Sequence, residues 1–174
     1  SNYQINMMAK FDLALFRVLS LVGGYVNDPD DLGGETYKGI ARKSHPAWPG
    51  WHMIDQSKKD KSFPVYMVTN VPLQNLVEKF YLDNFWCPLN IDQIQNQTSA
   101  ESVFDFAVNA GLNTSVRLVQ SIVGTNIDGI IGEKTLSKIN TMDFGHFQAA
   151  LTVAKLKYYM NIIRRRPTSK KFLL

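Results

Sequence analysis

A helical hydrophobic rhythm recurs along most of this chain and is cut off each time by glycine or proline. Apolar residues three and four apart share one face of an α-helix, whereas a half-buried strand requires alternation, which is scarce here. Leu15, Val18, Leu19 and Val22 make the first such stripe, over residues 11–21, and it runs into Gly23-Gly24. Pro72 suits a first helical turn, and Leu73, Leu76, Val77, Phe80, Tyr81 and Phe85 carry a second stripe toward Trp86, with Pro88 as the stop. Thr98 and Glu101 have capping-box spacing ahead of Val103, Phe106, Ala107 and Ala110, and Gly111 closes that helix. Further helices are expected over residues 112–123, 133–139 and 147–163, the last with Leu151, Ala154, Tyr158 and Ile162 along one side.

Residues 25–51 are dense in Gly, Pro, Asp and aromatic side chains, which predicts a long structured loop or a short irregular hairpin. The expected fold is therefore mainly α, a helical bundle with a small irregular or β segment near residues 25–40. With 174 residues, 45% of them hydrophobic and 20% charged, the chain is long enough to bury a real core as one domain or two tightly joined halves.

Composition narrows the function classes. No stretch approaches the roughly 20 apolar residues of a membrane span. Residues 1–10 carry no apolar run followed by a small-residue cleavage site, so no secretory signal is expected there. Cys87 is the single cysteine, which excludes an intrachain disulfide, and it reads as a small buried apolar side chain. His45, His52 and His146 are scattered without metal-ligand spacing, and no metal or cofactor is expected. Arg164, Arg165, Arg166, Lys170 and Lys171 together exceed the net charge of +4. The basicity therefore belongs to the C-terminal tail, and a nucleic-acid-binding face is not expected.

Two stretches carry a resemblance. One is Gly23-Gly24-Tyr25-Val26-Asn27-Asp28-Pro29-Asp30-Asp31 with Gly33-Gly34-Glu35-Thr36; the other is Phe104-Asp105-Phe106-Ala107-Val108-Asn109-Ala110-Gly111 leading to Asp128-Gly129-Ile130-Ile131-Gly132. Together they resemble glycoside hydrolase family 108, the N-acetylmuramidases once called secretion activator proteins. Residues 166–173 are similar to the exit of that family's last helix. The resemblance implies a lysozyme-like N-terminal half over residues 1–90 and a peptidoglycan-binding-like helical half over 91–174, packed as one unit. It also implies peptidoglycan glycan strands as partner, hydrolysis of the β-1,4 bond between N-acetylmuramic acid and N-acetylglucosamine as reaction, and a phage-derived or secretion-associated bacterial protein. With no signal visible, residence in the bacterial cytoplasm with export to the wall by another route is the matching expectation.

In that family the catalytic acid is a Glu directly before the Gly-Gly-Tyr, at the position held here by Val22. Asp31 follows nine residues after Val22 and Thr36 fourteen after, close to the acid, aspartate and threonine spacing of phage lysozymes. The resemblance implies that Asp31 steadies the developing cation or holds water, and that Thr36 orients it. Gly23, Gly24, Tyr25 and Asn109 are then candidate glycan contacts. Read without the family, Asp28, Asp30 and Asp31 are turn-capping residues, and Asn109 a local helix cap. A calcium loop beginning at Asp28 fails, because Leu32 and Gly39 occupy ligand positions. Tyr25, Trp48 and Trp51 are either sugar-stacking rings or core.

Valine supplies neither a proton for the leaving oxygen nor charge for an oxocarbenium-like centre, and glycoside cleavage needs both. Glu35 is the nearby carboxyl available as a substitute acid, or else a solvated loop residue. Two readings follow: an impaired muramidase, or a catalytically inactive peptidoglycan-binding or secretion-associated module.

Overall fold

The computed structural model describes residues 8–29 and 33–165. They group into two units, residues 11–84 and residues 85–165 together with 8–10.

In the first unit, α1 (Phe11–Leu21) buries Ala14, Leu15 and Val18 along the expected stripe. One further backbone bond, Val22 N to Val18 O at 3.2 Å, carries the turn to the Gly23-Gly24 break. A short antiparallel meander follows, β1 (Tyr25–Asn27), β2 (Glu35–Tyr37) and β3 (Ile40–Ala41), with Tyr25 opposite Tyr37, Asn27 opposite Glu35, and Thr36 between Val26 and Ala41. Lys38 and Gly39 turn β2 into β3 with φ of 45° and 81°, the doubly left-handed loop that matches strand twist. Two bonds hold it: Lys38 N donates to Gly24 O at 3.0 Å, and the Tyr81 hydroxyl donates to Lys38 O at 2.6 Å.

The segment read as loop contains a helix, α2 (Gly50–Ser57), which buries Trp51 and Ile54. Its Pro-Gly start hides it from the sequence pattern, yet only glycine fits at position 50: a Cβ there would lie 2.2 Å from the Trp48 ring. Helix α3 (Val71–Tyr81) has Pro72 in its first turn, as expected, and is capped by the Asn70 side chain accepting from Leu73 N at 3.1 Å. It buries Leu73, Val77, Phe80 and Tyr81. These pack in one apolar core with Tyr37, Ile40, Trp48, Trp51, Ile54 and Met67. Trp48 and Trp51 are therefore core residues, their indole N–H groups donating to Leu76 O and His45 O.

The α3 rhythm does not run on as α-helix to Trp86; it widens into a π turn (Leu82–Trp86) and then a 3₁₀ turn (Cys87–Leu89). Cys87 is exposed on that turn, contrary to its reading as a buried side chain. Trp86 and Leu89 on either side take the buried positions of this turn, which leaves Cys87 and Pro88 on its outer face.

The second unit holds α4 (Gln97–Ala110), α5 (Leu112–Val123), α6 (Glu133–Thr141) and α7 (Phe144–Arg165). The cap of α4 is Asn96, whose side chain accepts from Ser99 N at 2.9 Å, and not the Thr98–Glu101 box. Asn is at least as good an N-cap as Thr and stands two residues earlier. Gly111, at φ 87°, turns α4 into α5 without a loop. The α7 helix begins three residues before the expected start, where Asp143 caps it by accepting from His146 N at 2.8 Å. Val103, Phe104, Phe106, Ala107, Val116, Val119, Phe147 and Leu151 fill the core of this unit, and Trp86 meets Phe104 edge-on at 5.6 Å. The segment 8–10 is tied in by Ala9 N to Asp92 O and by a reciprocal pair of bonds between Lys10 and Gln97. Among the described residues, no helix is long and apolar enough to cross a membrane.

Candidate active site

The first unit brings together Val22, Gly23, Gly24, Tyr25, Glu35 and Thr36 around the end of α1 and the meander. Val22 is half-buried, and its side chain lies over the β2–β3 turn: a Cβ placed on Gly39 would be 3.4 Å from Val22 Cγ1 and 2.6 Å from the Tyr81 hydroxyl oxygen. Gly23 and Gly24 are exposed, with nothing within 4 Å of a Cβ on Gly24 and only Val26 Cγ2 at 3.9 Å from one on Gly23. Neither glycine is required by packing, so the pair presents bare backbone to solvent.

Adjacent strand residues point to opposite faces of a sheet. Glu35 and Thr36 therefore face opposite ways on β2, with Thr36 on the side of exposed Val26 and Glu35 on the side of buried Tyr37. Glu35 is held there by three partners. Tyr25 donates its hydroxyl to Oε1 at 3.0 Å, Arg42 donates Nη1 to Oε2 at 2.8 Å, and the Lys58 ammonium stands 2.6 Å from Oε1. Arg42 also forks onto Asp55, and Lys58 reaches Asp55 Oδ1 at 3.1 Å. The same two cations lie over aromatic rings, Arg42 on Trp51 at 5.1 Å and Lys58 on Tyr25 at 5.7 Å.

This arrangement sets the protonation of Glu35. Burial raises its pKa, but the hydrogen bonds from Lys58, Arg42 and Tyr25 outweigh that, and the net shift is downward. Asp55 is likewise held well below the usual carboxylate range, first by the Arg42 fork. Burial and the bond to Glu35 push the Tyr25 hydroxyl up. Two carboxylates and two cations thus form a closed, ionised network.

Asp55 and Lys58 escaped the sequence reading because α2 did, and Arg42, just after β3, has no partner in the sequence until they are placed. Once that helix is known, Asp55 and Lys58 are an i,i+3 pair on one of its faces. Asp31, with Asp30 and Leu32, lies outside the described residues, as do residues 166–173. Asn109 belongs to the second unit, where its side-chain amide donates to Asp105 O at 2.8 Å and Asp105 Oδ1 at 3.1 Å, a local bond within α4.

The Asp128–Gly132 turn is organised by one buried side chain. Gln120 accepts from Gly129 N at 2.9 Å and donates to Asp128 Oδ1 at 2.7 Å and Ile130 O at 3.0 Å, while Gly129 takes φ 85°. Asp128 closes the turn by accepting from Ile130 N at 2.9 Å. Ile131 is buried, and its carbonyl accepts from the Asn90 side chain at 2.9 Å.

The two family models that match this chain, together with the fold, make it a muramidase-like protein directed at peptidoglycan. The glycosyl hydrolase 108 profile matches residues 15–111, and a second profile, described as a predicted peptidoglycan domain, matches residues 114–174. The chain belongs to the glycosyl hydrolase 108 family. Among solved structures it is similar to Brucella abortus SagA at 26% identity and a TM-score of 0.67, over 92% of this chain and 88% of that one. No curated protein sequence matches it significantly.

Proposed function

We propose that this chain binds peptidoglycan glycan strands along the end of α1 and the meander, but cleaves the β-1,4 bond after N-acetylmuramic acid only at trace rates. Val22 carries the reading. At the family's acid position the chain presents a hydrocarbon packed over the Gly39 turn, and a positioned acid contributes about 10²–10⁴-fold, or roughly 3–5 kcal/mol.

Glu35 does not replace it in this reading. An acid catalyst must hold a proton near neutral pH, whereas Glu35 is ionised by its three donors and faces away from Thr36. Binding is supported by the exposed, side-chain-free Gly23-Gly24 edge beside Tyr25, where a sugar ring approaches without displacing packed atoms. In the same reading Asp31 and Thr36 retain the family roles of cation stabiliser and water-orienting group.

The test is release of reducing ends from purified peptidoglycan by the unmodified chain and by Val22→Glu, each with and without Glu35→Gln. Cleavage by Val22→Glu alone supports a muramidase scaffold lacking its acid. Cleavage by the unmodified chain that disappears with Glu35→Gln overturns it and moves the acid to Glu35.

A further inference from the structure

Helices α5 and α7 leave between them an open groove of about 920 Å³, lined mainly by apolar side chains. Its α7 side runs from His146 to Asn161 and sets the methyl groups of Ala149, Ala150 and Ala154 beside Val153, with Leu118 and Ile122 facing them from α5. Two basic side chains, Arg117 and Lys157, border it, and no carboxylate lines it among the described residues.

Neither cation makes a direct ion pair among the described residues. Arg117 donates Nε to Asn113 Oδ1 and Nη1 to Ile127 O, both neutral acceptors. Asp128 is near enough to feel the Arg117 charge, but it lies in the neighbouring pocket, is not hydrogen-bonded to Arg117, and takes its bonds from Gln120 and Ile130 N. Lys155, two residues before Lys157, is paired with Asp105 at 3.2 Å, whereas Lys157 makes no ion pair among the described residues. Two other pockets of this unit differ. The 700 Å³ pocket beside α6 mixes Asp128 and Glu133 with Lys134 and Lys138, and the 310 Å³ pocket beside Asn140 carries no charge.

We propose that the α5–α7 groove seats the acidic, alanine-bearing peptide stem of peptidoglycan, methyl groups on the α7 alanines and free carboxylates on Arg117 and Lys157. The proposal rests on the reading of the chain as peptidoglycan-directed and adds a second element of the polymer to it. Dimensions agree: the α7 side rises about 22 Å over its length, and an extended peptide of about five residues spans roughly 17 Å. Two such grooves facing one another would set like charges together, which disfavours a symmetric contact through this face.

The test is sedimentation of the full chain with insoluble peptidoglycan, intact or stripped of its stems by an amidase, with anionic lipid vesicles alongside. The variants are Arg117→Glu, Lys157→Glu and Ala149→Trp, the last filling the groove from an exposed position. Because Arg117 also supports the 127 carbonyl, Lys157→Glu and Ala149→Trp carry the argument, each with its unfolding midpoint measured. The expected result is roughly tenfold tighter binding to intact than to stripped polymer, lost in these variants and falling as salt rises. Equal binding to both polymers, or natively stable variants that bind like the parent, overturns the stem assignment and leaves the glycan reading standing. Binding to neither polymer overturns both. Vesicle binding that the same substitutions abolish overturns the assignment in favour of a lipid surface.

Discussion

The Lys58 ammonium stands 2.6 Å from Glu35 Oε1, on a carboxylate only 14% exposed that Arg42 and Tyr25 also serve. Removing that charge leaves two cations with half their partners. Glu35→Gln should therefore destabilise the 11–84 unit by about 1–3 kcal/mol at neutral pH, read as a lower urea midpoint.

The same network predicts an acid limb. Glu35 and Asp55 both titrate below their ordinary values, so the unfolded chain binds their protons more tightly than the folded one. Their stabilisation is complete above about pH 4, near the unfolded carboxylate values, and is lost as pH falls through the lower folded values. Asp55 is half in solvent, so its share is small and screened by salt. Melting the parent and Glu35→Gln at pH 7 and pH 3 should show a smaller pH-dependent drop in the variant. Equal drops would remove Glu35 from the acid limb.

Gly34 and Gly39 separate conformational strain from steric strain. Both have positive φ, 64° and 81°, but a Cβ on Gly34 meets nothing within 4 Å, whereas one on Gly39 meets the Tyr81 hydroxyl at 2.6 Å and Val22 at 3.4 Å. Gly34→Ala should cost about 1 kcal/mol for the left-handed backbone alone. Gly39→Ala should cost roughly 2–4 kcal/mol, since the Tyr81 hydroxyl must also leave the Lys38 carbonyl. Equal costs for the two in chemical denaturation would mean that Tyr81 yields freely.

The course of α1 and of α5 is readable from residue spacing, because each has a continuous apolar stripe with glycine at or just beyond its end. The meander was legible only as a region: strands of two and three residues are too short to show alternation. The α2 helix was hidden by Trp48-Pro49-Gly50, which reads as a turn until the Trp48 indole is seen filling the space a side chain would need. With α2 went Asp55 and Lys58, and so the difference between a solvated Glu35 and one locked in an ion-pair network. Val22 stands out in the sequence because the Gly-Gly-Tyr beside it marks the position. Its contact with the Gly39 turn required the fold.

The Cys87 thiol, expected inside and found exposed beside Pro88, should react with a water-soluble thiol reagent under native conditions. Labelling at the rate seen in denaturant is the expected outcome. Protection that disappears only on unfolding would return Cys87 to the core.

Gln120 is the side chain on which the Asp128–Gly132 turn depends. It is buried, and both ends of its amide are used, the oxygen by Gly129 N and the nitrogen by Asp128 and the Ile130 carbonyl. Thr135, on the first turn of α6, lies 3.4 Å from the same nitrogen, so turn and helix are joined through one group. Gln120→Leu keeps most of the volume and removes every side-chain bond, leaving the Gly129 N–H without its acceptor while the Ile130 carbonyl keeps Gly132 N at 3.1 Å; the expected cost is about 1–3 kcal/mol. Gln120→Glu keeps the acceptor for Gly129 but sets a second carboxylate against Asp128, so it should be destabilising at neutral pH and recover partly as the medium is made acidic. Chemical denaturation of both variants at two pH values checks this, and a Gln120→Leu protein as stable as its parent would show that the turn holds without its glutamine.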